Sequence, residues 1–478
     1  MLVTQTGSRI ITPQSLFTRD RFENNVHVFC HMLILNGIAE GDRVVLKAEN
    51  SYGFVVALFS LCRLAVSITV VDEQINTDEL SQIYAEVEAC CLLTDTALHL
   101  PDAQSLLIGD ILRDAALLGG TALPSMSMDK WIRKQDALIL YTSGTTGKPK
   151  GIVKSGSSFM DNIKLSVQAM GYVPGDCLLP IVPFSHFYGI SLIFSWWLTS
   201  CSLIICNRKN LWSVITHITK EKATVVDANP SAYYTIIRML SRKPEQLEQV
   251  RNSQVRMWCV GGSPLTNDLE EKFAEVFGQP LLNGYGLSEL GNVTMGTLDH
   301  PEGCGKPLPG VEVRIRGQNG EEQAGGEFGQ IWIRTPGCME GYLNQEELTK
   351  SVLQDQWFKT GDLGFLQEGN LHVIGREGRS VNRMGYTFSP VYIENQISRL
   401  GYRSCVITLD DDVKGTMIVI FVESESSQEL SLVRKNINRM LPTYMYPDML
   451  LLIPQFPLNR NGKVDRLELE RTAKRRKV

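Results

Sequence analysis

The sequence lacks the features that identify several common protein classes. Its 11 cysteines include no C-x-x-C pair, and Cys90 and Cys91 are adjacent, which suits neither a zinc knuckle nor a disulfide framework. The first residues, MLVTQTGSRIITPQ, lack the basic start and apolar run of a signal peptide. We therefore expect a cytoplasmic protein whose cysteines are mostly small apolar core residues in a reducing compartment.

A basic excess is also missing. Lys and Arg number 47 against 52 Asp and Glu, and the formal net charge is −5. Proteins that grip a nucleic-acid backbone usually carry a basic excess, so we expect no nucleic-acid partner. The composition, 43% hydrophobic and 21% charged over 478 residues, is that of a folded globular chain with room for about three domain-sized units.

One long stretch has no charged residue. Residues 177–207, CLLPIVPFSHFYGISLIFSWWLTSCSLIICN, contain no Asp, Glu, Lys or Arg and are long enough to span a membrane. Pro180, Pro183 and Gly189 interrupt the apolar run, and central strands of parallel sheets also read as continuous apolar segments. The stretch therefore predicts a buried strand, loop, helix and strand, and no membrane span.

Strand-like and helix-like segments alternate through the first two-thirds of the chain. SITVV at 67–71 reads as a buried strand, and Asn76 with Glu79 three residues later is typical of a helix start. ATVVDAN leads similarly into PSAYYTIIRML, where Pro230 suits the first helical turn. After Gly286 short Gly-bounded strands follow, and the last hundred or so residues mix helices with strands. The pattern predicts an α/β fold: a large N-terminal domain of parallel-sheet α/β subdomains and a small β subdomain, then a small α+β domain.

The segment YTSGTTGKPKG, residues 141–151, has the composition of a phosphate-binding loop. Its spacing excludes a Walker loop, because only two residues separate Gly144 from Gly147 and Pro149 follows the lysine. Glycine peptides, hydroxyl groups and two lysines can nevertheless converge on a polyphosphate. A flexible surface loop of the same composition is the alternative.

This loop and several further motifs resemble the adenylate-forming superfamily of acyl-CoA synthetases, peptide-synthetase adenylation domains and firefly-type luciferases. The motifs cover nearly the whole chain in the family's order: PFSHFYG at 183–189, GGSP at 261–264, NGYGLSE at 283–289, WFKTGDLG at 357–364, GREGRSVNRMGYTFSP at 375–390 and PLNRNGKVDR at 457–466. The chain is closest in type to acyl- or aryl-CoA ligases. Such enzymes use ATP to convert a carboxylic acid into an acyl-adenylate and then transfer the acyl group to a thiol.

The resemblance implies a site for ATP and Mg²⁺. Glu289 would help to hold Mg²⁺, since a hard cation prefers carboxylate oxygen, and Asp362 and Arg376 would bind the ribose. The remaining nucleotide-binding residues implied are Thr142, Ser143, Gly144, Thr145, Thr146, Lys150, Gly262, Asn283, Gly284, Tyr285, Gly286 and Ser288.

Three further roles follow from the same resemblance. Lys463 would be the essential residue of the first step, because an ammonium group can neutralise both the incoming carboxylate and the α-phosphate. His186 would gate the acid pocket, although an isolated histidine in an apolar stretch is often a packed core residue. Gly385 would line the tunnel for the thiol.

The domain boundary carries a departure from the family pattern. The hinge is expected at position 378, between a large domain of residues 1–377 and a mobile domain of residues 379–478. Gly378 stands where the family often has Asp or Lys, and glycine tolerates the large dihedral changes of a hinge. Asn382 and Met384 replace lysines common before the tunnel glycine, which leaves two thiol acceptors open: coenzyme A and the phosphopantetheine arm of an acyl carrier protein.

The predicted function is an acid–CoA ligase that acts on a small fatty or aromatic acid. HFYGISLIFSWWL has no acidic residue after the gate motif, so an amino acid substrate is not expected, and the surrounding apolar residues suggest an apolar slot. The alternatives are an acyl-AMP ligase that loads a carrier protein, a luciferase-like oxygenase and a nucleotide-binding protein without turnover. No feature of the sequence favours the oxygenase. The joint presence of Lys463, Glu289 and Asp362 argues against a protein without turnover.

Overall fold

The computed structural model describes residues 7–98, 100, 103–117, 127–143, 149–317, 320–376, 381–383, 386–388, 390–411, 415–424, 430–460 and 462–477. Position 378, the predicted hinge, lies outside these residues, and the two domain boundaries stay a prediction.

Strands alternate with helices through the larger part of the chain. The first strands are β1 (Arg9–Ile11), β2 (Leu16–Thr18), β3 (Arg43–Lys47), β4 (Ser67–Val71), β5 (Cys91–Thr94), β6 (Gln104–Leu107), β7 (Leu138–Ser143), β8 (Pro149–Lys154), β9 (Cys177–Pro180) and β10 (Ser202–Ile204). They continue with β11 (Val225–Ala228), β12 (Met257–Val260), β13 (Leu281–Leu287), β14 (Gly291–Met295), β15 (Lys306–Pro307), β16 (Glu312–Arg316), β17 (Gly329–Arg334), β18 (Gly341–Tyr342), β19 (Leu353–Gln354), β20 (Trp357–Gln367) and β21 (Asn370–Arg376). The helices are α1 (Arg19–Leu35), α2 (Tyr52–Arg63), α3 (Thr77–Glu86), α4 (Ile108–Leu117), α5 (Asp129–Ile132), α6 (Gly156–Met170), α7 (Phe187–Leu198), α8 (Leu211–Lys220), α9 (Pro230–Leu240), α10 (Pro244–Arg251), α11 (Asn267–Phe277) and α12 (Glu346–Val352).

The last part of the chain contains β22 (Val381–Arg383), β23 (Tyr386–Phe388), α13 (Pro390–Ser398), β24 (Ser404–Asp411), β25 (Gly415–Glu423), α14 (Leu430–Met440), β26 (Met449–Ile453) and α15 (Arg466–Lys477). Strands β24, β25 and β26 form one sheet in that order, with an antiparallel and then a parallel pair. This sheet has an apolar core on each face. Strands β22 and β23 form a separate antiparallel pair. The α+β prediction for this region is confirmed.

Two largely parallel sheets form the larger part, as the alternating sequence predicts. One has the order β18-β8-β7-β4-β3-β5-β6 and the other β15-β14-β13-β12-β11-β9-β10-β1-β2. Their facing sides share one large apolar core with α1, α2, α6 and α7 between them. A third, antiparallel sheet of β16, β17, β20, β19 and β21 follows. The small β subdomain is therefore also confirmed.

Local sequence signals explain several element boundaries. The Asn76 side chain accepts a hydrogen bond from the Glu79 amide at 2.8 Å, which caps α3 as expected. Pro230 occupies the first turn of α9, and its predecessor Asn229 caps that helix. The uncharged stretch 177–207 forms β9, a loop, the buried helix α7 and β10. Within the described residues, no helix combines the length and the apolar character needed to cross a membrane.

Candidate active site

Both ends of the predicted phosphate loop lie on the paired strands β7 and β8, the phosphate hairpin. Strands β7 and β8 pair antiparallel, with Thr142 opposite Lys150, and β8 lies between the loop and α6. Gly144, Thr145 and Thr146 lie outside the described residues, as does the side chain of Ser143. Lys150 lies with its Nζ 5.5 Å from the ring centroid of Tyr342.

Glu289 lies next to this hairpin, in the turn between β13 and β14. Its Oε1 accepts a hydrogen bond of 2.9 Å from the hydroxyl of Tyr342. Its carbonyl oxygen accepts one of 2.6 Å from the Met339 amide. Tyr342 thus contacts both the predicted phosphate-binding Lys150 and the predicted metal ligand, which brings these two residues together.

Lys154 supports the turn that contains Glu289, and none of the sequence motifs includes it. It is 0% exposed, and its Nζ donates to the carbonyl oxygens of Glu289 at 3.2 Å and Gly337 at 2.5 Å. Burial lowers the pKa of Lys154 from 10.5 to about 8. Strand alternation could have revealed it, because the buried Ile152 and Lys154 share a face of β8.

The donor set around Glu289 fits Mg²⁺ in one specific way. Among the residues that the structure describes, no group of three or more His, Cys, Asp and Glu side chains could hold a metal ion. Mg²⁺, however, often binds through one or two carboxylates together with water and substrate phosphates. Glu289 beside Lys150 matches that mode of binding.

A second cluster joins β13 to the third sheet. The Tyr285 hydroxyl donates to Asp362 Oδ2 at 2.6 Å, and Arg376 Nε lies 3.6 Å from Asp362 Oδ1. The Asp362 amide is fixed by the Thr360 hydroxyl at 2.9 Å. Burial, followed by the charge of Asp362, raises the pKa of Tyr285 well above its usual value, so the phenol remains a donor. Three predicted nucleotide-binding side chains therefore meet.

The other residues of the NGYGLSE motif lie on or directly after β13. Asn283 donates through Nδ2 to Cys304 Sγ at 3.4 Å. A methyl group on Gly286 would lie 2.6 Å from the carbonyl oxygen of Gly291, so a side chain there would force the hairpin apart. Ser288 is half-buried, and Gly262 after β12 adopts a positive φ of 78° that favours glycine.

His186 precedes α7 and faces an acid that the motif reading overlooked. Its Nε2 lies 3.4 Å from Oδ2 of Asp72, the residue after β4. Burial acts to raise the pKa of Asp72, but the hydrogen bond from His186, the Gln74 amide and the charge of Arg208 together hold it below the usual value. The aspartate is thus a carboxylate that orients the imidazole.

Lys463 lies on a tight hairpin that contacts the larger part of the chain. The Asn459 amide donates to the Lys463 carbonyl at 2.7 Å, and the Lys463 amide donates to Asn459 Oδ1 at 3.0 Å. Arg460 pairs with Glu79 of α3 at 2.7 Å, and a methyl group on Gly462 would lie 2.8 Å from Asn229 Nδ2, at the end of β11. Gly385 of the predicted thiol tunnel lies outside the described residues.

A cavity of about 650 Å³ lies between α3 and the β7–β8 hairpin. It is lined by Glu79, Gln82, Ile83, Glu86, Tyr141, Pro149, Lys150 and Gln345. Glu79 belongs to the ion pair with Arg460, and Lys150 belongs to the phosphate hairpin. A larger recess of about 910 Å³ near α8 and α10 contains none of the predicted site residues. The smaller cavity is therefore the one lined in part by a predicted site residue, Lys150.

Known proteins resemble this chain over almost its whole length. A 2-succinylbenzoate–CoA ligase of Lactococcus lactis is 27% identical and aligns with 90% of each chain, and a long-chain-fatty-acid–CoA ligase of Yersinia pestis is 25% identical over 91% of this chain and 85% of its own. The ATP-bound structure of MatB from Rhodopseudomonas palustris has a TM-score of 0.86, with 24% identity and coverage of 98% and 96%. The o-succinylbenzoate CoA synthetase of Bacillus subtilis, solved with ATP and magnesium, has a TM-score of 0.81, with 22% identity and 97% coverage of each chain.

The family model described as AMP-binding enzyme matches residues 6–343, more than two-thirds of the chain. The match includes the phosphate hairpin, His186, the β13 motif and Glu289, whereas Asp362, Arg376 and Lys463 follow it. The chain therefore belongs to the AMP-binding enzyme family.

Proposed function

We propose that the chain couples ATP cleavage to the joining of a carboxylic acid and a thiol, in two steps. First, a carboxylate oxygen attacks the α-phosphorus of ATP, the bond from that phosphorus to the bridging oxygen breaks, and pyrophosphate leaves. Second, the thiolate sulfur attacks the acyl carbon and AMP leaves. Family membership and the names of the relatives support this scheme, since both relatives described above are CoA ligases.

The observation that carries the proposal is the docked hairpin of Lys463. Arg460 reaches Glu79, which lines the cavity beside Lys150, and Gly462 abuts Asn229 at the end of β11. An anionic acid must approach a polyanion in the first step, and preorganised positive charge lowers the cost of that approach. A hairpin docked beside Glu79 and Asn229 would bring the ammonium group of Lys463 toward the reacting carboxylate and phosphate. The first step requires such a group.

The surrounding residues divide the work of binding ATP. Thr142 and Lys150 hold the β- and γ-phosphates, and Asp362, oriented by Tyr285, accepts hydrogen bonds from the ribose. Glu289, positioned by Tyr342, would hold Mg²⁺. Bound Mg²⁺ would neutralise phosphate charge and orient the nucleotide.

His186 stands at the acid side of the site. Its link to Asp72 at 3.4 Å fixes the ring at the start of α7. A fixed imidazole can separate the acid pocket from the nucleotide and donate a hydrogen bond to the reacting carboxylate. This assigns His186 the gating role and Asp72 the role of a positioning residue.

Coenzyme A is the proposed thiol, and Gly378 and Gly385 are the residues expected to serve the second step. Rotation about position 378 would remove the Lys463 hairpin after adenylation and bring Gly385 to the thiol tunnel. Asn382 on β22 lacks the charge that a lysine would offer to the phosphates of coenzyme A. A comparison of free coenzyme A with a phosphopantetheinylated carrier protein, each at the same thiol concentration, decides between the two acceptors.

The test separates the two half-reactions. ATP–pyrophosphate exchange is measured with a panel of carboxylic acids, and thiolysis is measured with chemically prepared acyl-AMP. We expect Lys463→Ala to lower exchange by at least about 100-fold, as removal of an electrostatic catalytic group does, and to leave thiolysis within a few-fold of wild type. Lys435→Ala, an exposed lysine on α14, is the matched control and leaves both reactions unchanged. Equal loss of both half-reactions in Lys463→Ala would contradict the proposed role.

A further inference from the structure

A buried acid pairs with a half-buried phenol close to two parts of the predicted site. The Tyr188 hydroxyl, in the first turn of α7, donates to Asp227 Oδ1 at 2.9 Å. Tyr188 is the second residue after His186, and Asp227 is the second residue before Asn229, which contacts the Lys463 hairpin. The pair is therefore close along the chain to the predicted gate and to Asn229, the residue that contacts the hairpin of Lys463.

Strand alternation explains which way Asp227 faces. Val225 and Cys259 belong to the core between the two parallel sheets, whereas Val226 and Val260 belong to the core on the other face. Asp227 follows Val225 by two residues and so faces α7. It is 1% exposed, at the carboxyl end of β11, where ligands of open α/β sheets commonly bind.

One oxygen of Asp227 has no hydrogen-bond partner within the described part of the chain. Among the described residues, Asp227 Oδ2 is buried without a hydrogen bond, and no ion pair neutralises the carboxyl group. The nearby Tyr233 hydroxyl is already used, because it donates to the carbonyl oxygens of Val226 at 3.0 Å and Cys259 at 2.8 Å. A buried acceptor without a donor is costly, which makes the site receptive to a ligand that supplies one.

Glycines keep the space beside the pair open. A methyl group on Gly261 would lie 3.3 Å from Tyr188 Cε1 and 3.5 Å from the carbonyl oxygen of Gly284. Gly284 belongs to the predicted nucleotide motif. A single methyl group would fill the space between its carbonyl oxygen and the ring of Tyr188. Tyr188 is half-buried, whereas its neighbours Phe187 and Gly189 are buried.

We infer that Asp227 and Tyr188 select the acid substrate, and that this substrate carries a hydrogen-bond donor, a hydroxyl or an amino group, on the part remote from its carboxylate. The donor binds Asp227 Oδ2 while Tyr188 holds Oδ1. This inference rests on the proposed acid activation and adds a polar contact to the expected apolar slot. The motif reading found no acid in the segment after the gate, because the acid comes from a strand 39 residues away.

The protonation state of Asp227 distinguishes the two kinds of donor. Burial raises the pKa of Asp227 to about 7, and the groups around it are the phenols of Tyr172, Tyr188 and Tyr233 and the Cys259 thiol, whose own pKa values burial raises well above normal. A hydroxyl can donate to either form of the acid. An ammonium group needs the carboxylate, so its use should rise as the pH passes about 7.

The experiment compares acids that differ by one donor group. ATP–pyrophosphate exchange is measured with benzoate, 4-hydroxybenzoate and 4-aminobenzoate, and with butanoate, 3-hydroxybutanoate and 4-aminobutanoate. In at least one series we expect the wild-type enzyme to favour a donor-bearing acid by at least about tenfold in kcat/KM, because a site built to bind a donor discriminates against the analogue without it. In the butanoate series the pH profiles then separate hydroxyl from ammonium recognition, because the aromatic amine of 4-aminobenzoate is neutral at these pH values.

Variants show whether the pair causes the preference. Asp227→Ala and Tyr188→Phe should shrink the ratio toward one, mainly through KM of the donor-bearing acid. Asp176→Ala is the matched control, since Asp176 is 2% exposed at the other end of the same sheet, where Arg256 and Thr224 bind it. It should lower stability and leave the ratio unchanged.

Two results would overturn the inference in distinguishable ways. Exchange that is equal for acids with and without donors, or a ratio that survives in Asp227→Ala, rejects the selecting role and leaves acid activation intact. Absence of exchange with every acid tested contradicts the proposed function itself and the inference with it.

Discussion

Replacement of the buried Lys154 by methionine should reveal a strong pH dependence of stability. Burial lowers the pKa of this lysine from 10.5 to about 8 in the folded protein. Each tenfold change in a proton-binding equilibrium is worth about 1.4 kcal/mol, so the buried charge costs roughly 3 kcal/mol at neutral pH. Because the folded pKa lies below the unfolded value, this cost is fully present below about pH 8 and disappears as the pH approaches 10.5.

The expected outcome is a difference in how the free energy of unfolding depends on pH in the wild-type chain and in Lys154→Met. Between about pH 7 and about pH 9.5, the free energy of unfolding of the wild-type chain should rise by about 2 kcal/mol relative to Lys154→Met. At any single pH the comparison is less direct, because methionine also leaves the carbonyl oxygens of Glu289 and Gly337 without their donor.

Urea unfolding followed by tryptophan fluorescence is a suitable assay. All seven tryptophans precede residue 358, so the signal reports on the part of the chain that contains Lys154. Lys164→Met is the control, because that side chain is 59% exposed and pairs with the nearby Asp161 on the surface of α6. Parallel curves for wild type and Lys154→Met over this pH range would refute the argument that a charged lysine is buried beneath Glu289.

Three smaller changes test individual contacts. Tyr285→Phe removes the hydrogen bond to Asp362, and KM for ATP should rise by about tenfold, equivalent to about 1.4 kcal/mol, with a smaller change in kcat. An unchanged KM for ATP would argue against ribose binding at the Asp362 carboxylate. Asp72→Asn should lower the urea midpoint at about pH 7. The difference between the wild-type and variant midpoints should shrink below about pH 4, because the folded pKa of Asp72 lies below its usual value. A midpoint difference independent of pH would contradict the pair with His186. Arg460→Ala breaks a partly exposed ion pair worth about 0–1 kcal/mol, so pyrophosphate exchange should fall less than about fivefold, and a larger loss would show that this arginine does more than dock its hairpin.

Local signals in the sequence predicted most of the fold. The buried strand at 67–71, the Asn76 cap and the first-turn Pro230 are properties of a few neighbouring residues, and each was confirmed. The nature of the uncharged stretch 177–207 was also predicted correctly, because its proline and glycine residues interrupt any continuous helix. Local pattern did not reveal β8, which pairs with β7 on one side and with β18 on the other.

The site was only partly predictable for a similar reason. Motifs named the residues of the nucleotide site, and the structure brings Tyr285, Asp362 and Arg376 together. The partners that orient site residues come from distant positions: Lys154 lies 135 residues from Glu289, and Asp227 lies 39 from Tyr188. No spacing rule covers such pairs, since they depend on how two sheets face each other.

The positions of these pairs suggest how one framework can serve different acids. The residues proposed to bind ATP come from β13, the β7–β8 hairpin and the third sheet, whereas the residues proposed to select the acid come from β11 and α7. A substitution at Asp227 can therefore change the acid without touching Asp362 or Glu289. The relatives at 25% and 27% identity bear the names of chemically different acids, yet align over about nine-tenths of this chain. Such divergence is expected when the two sets of residues come from different elements, and it makes β11 and α7 the place where substitutions should alter substrate choice.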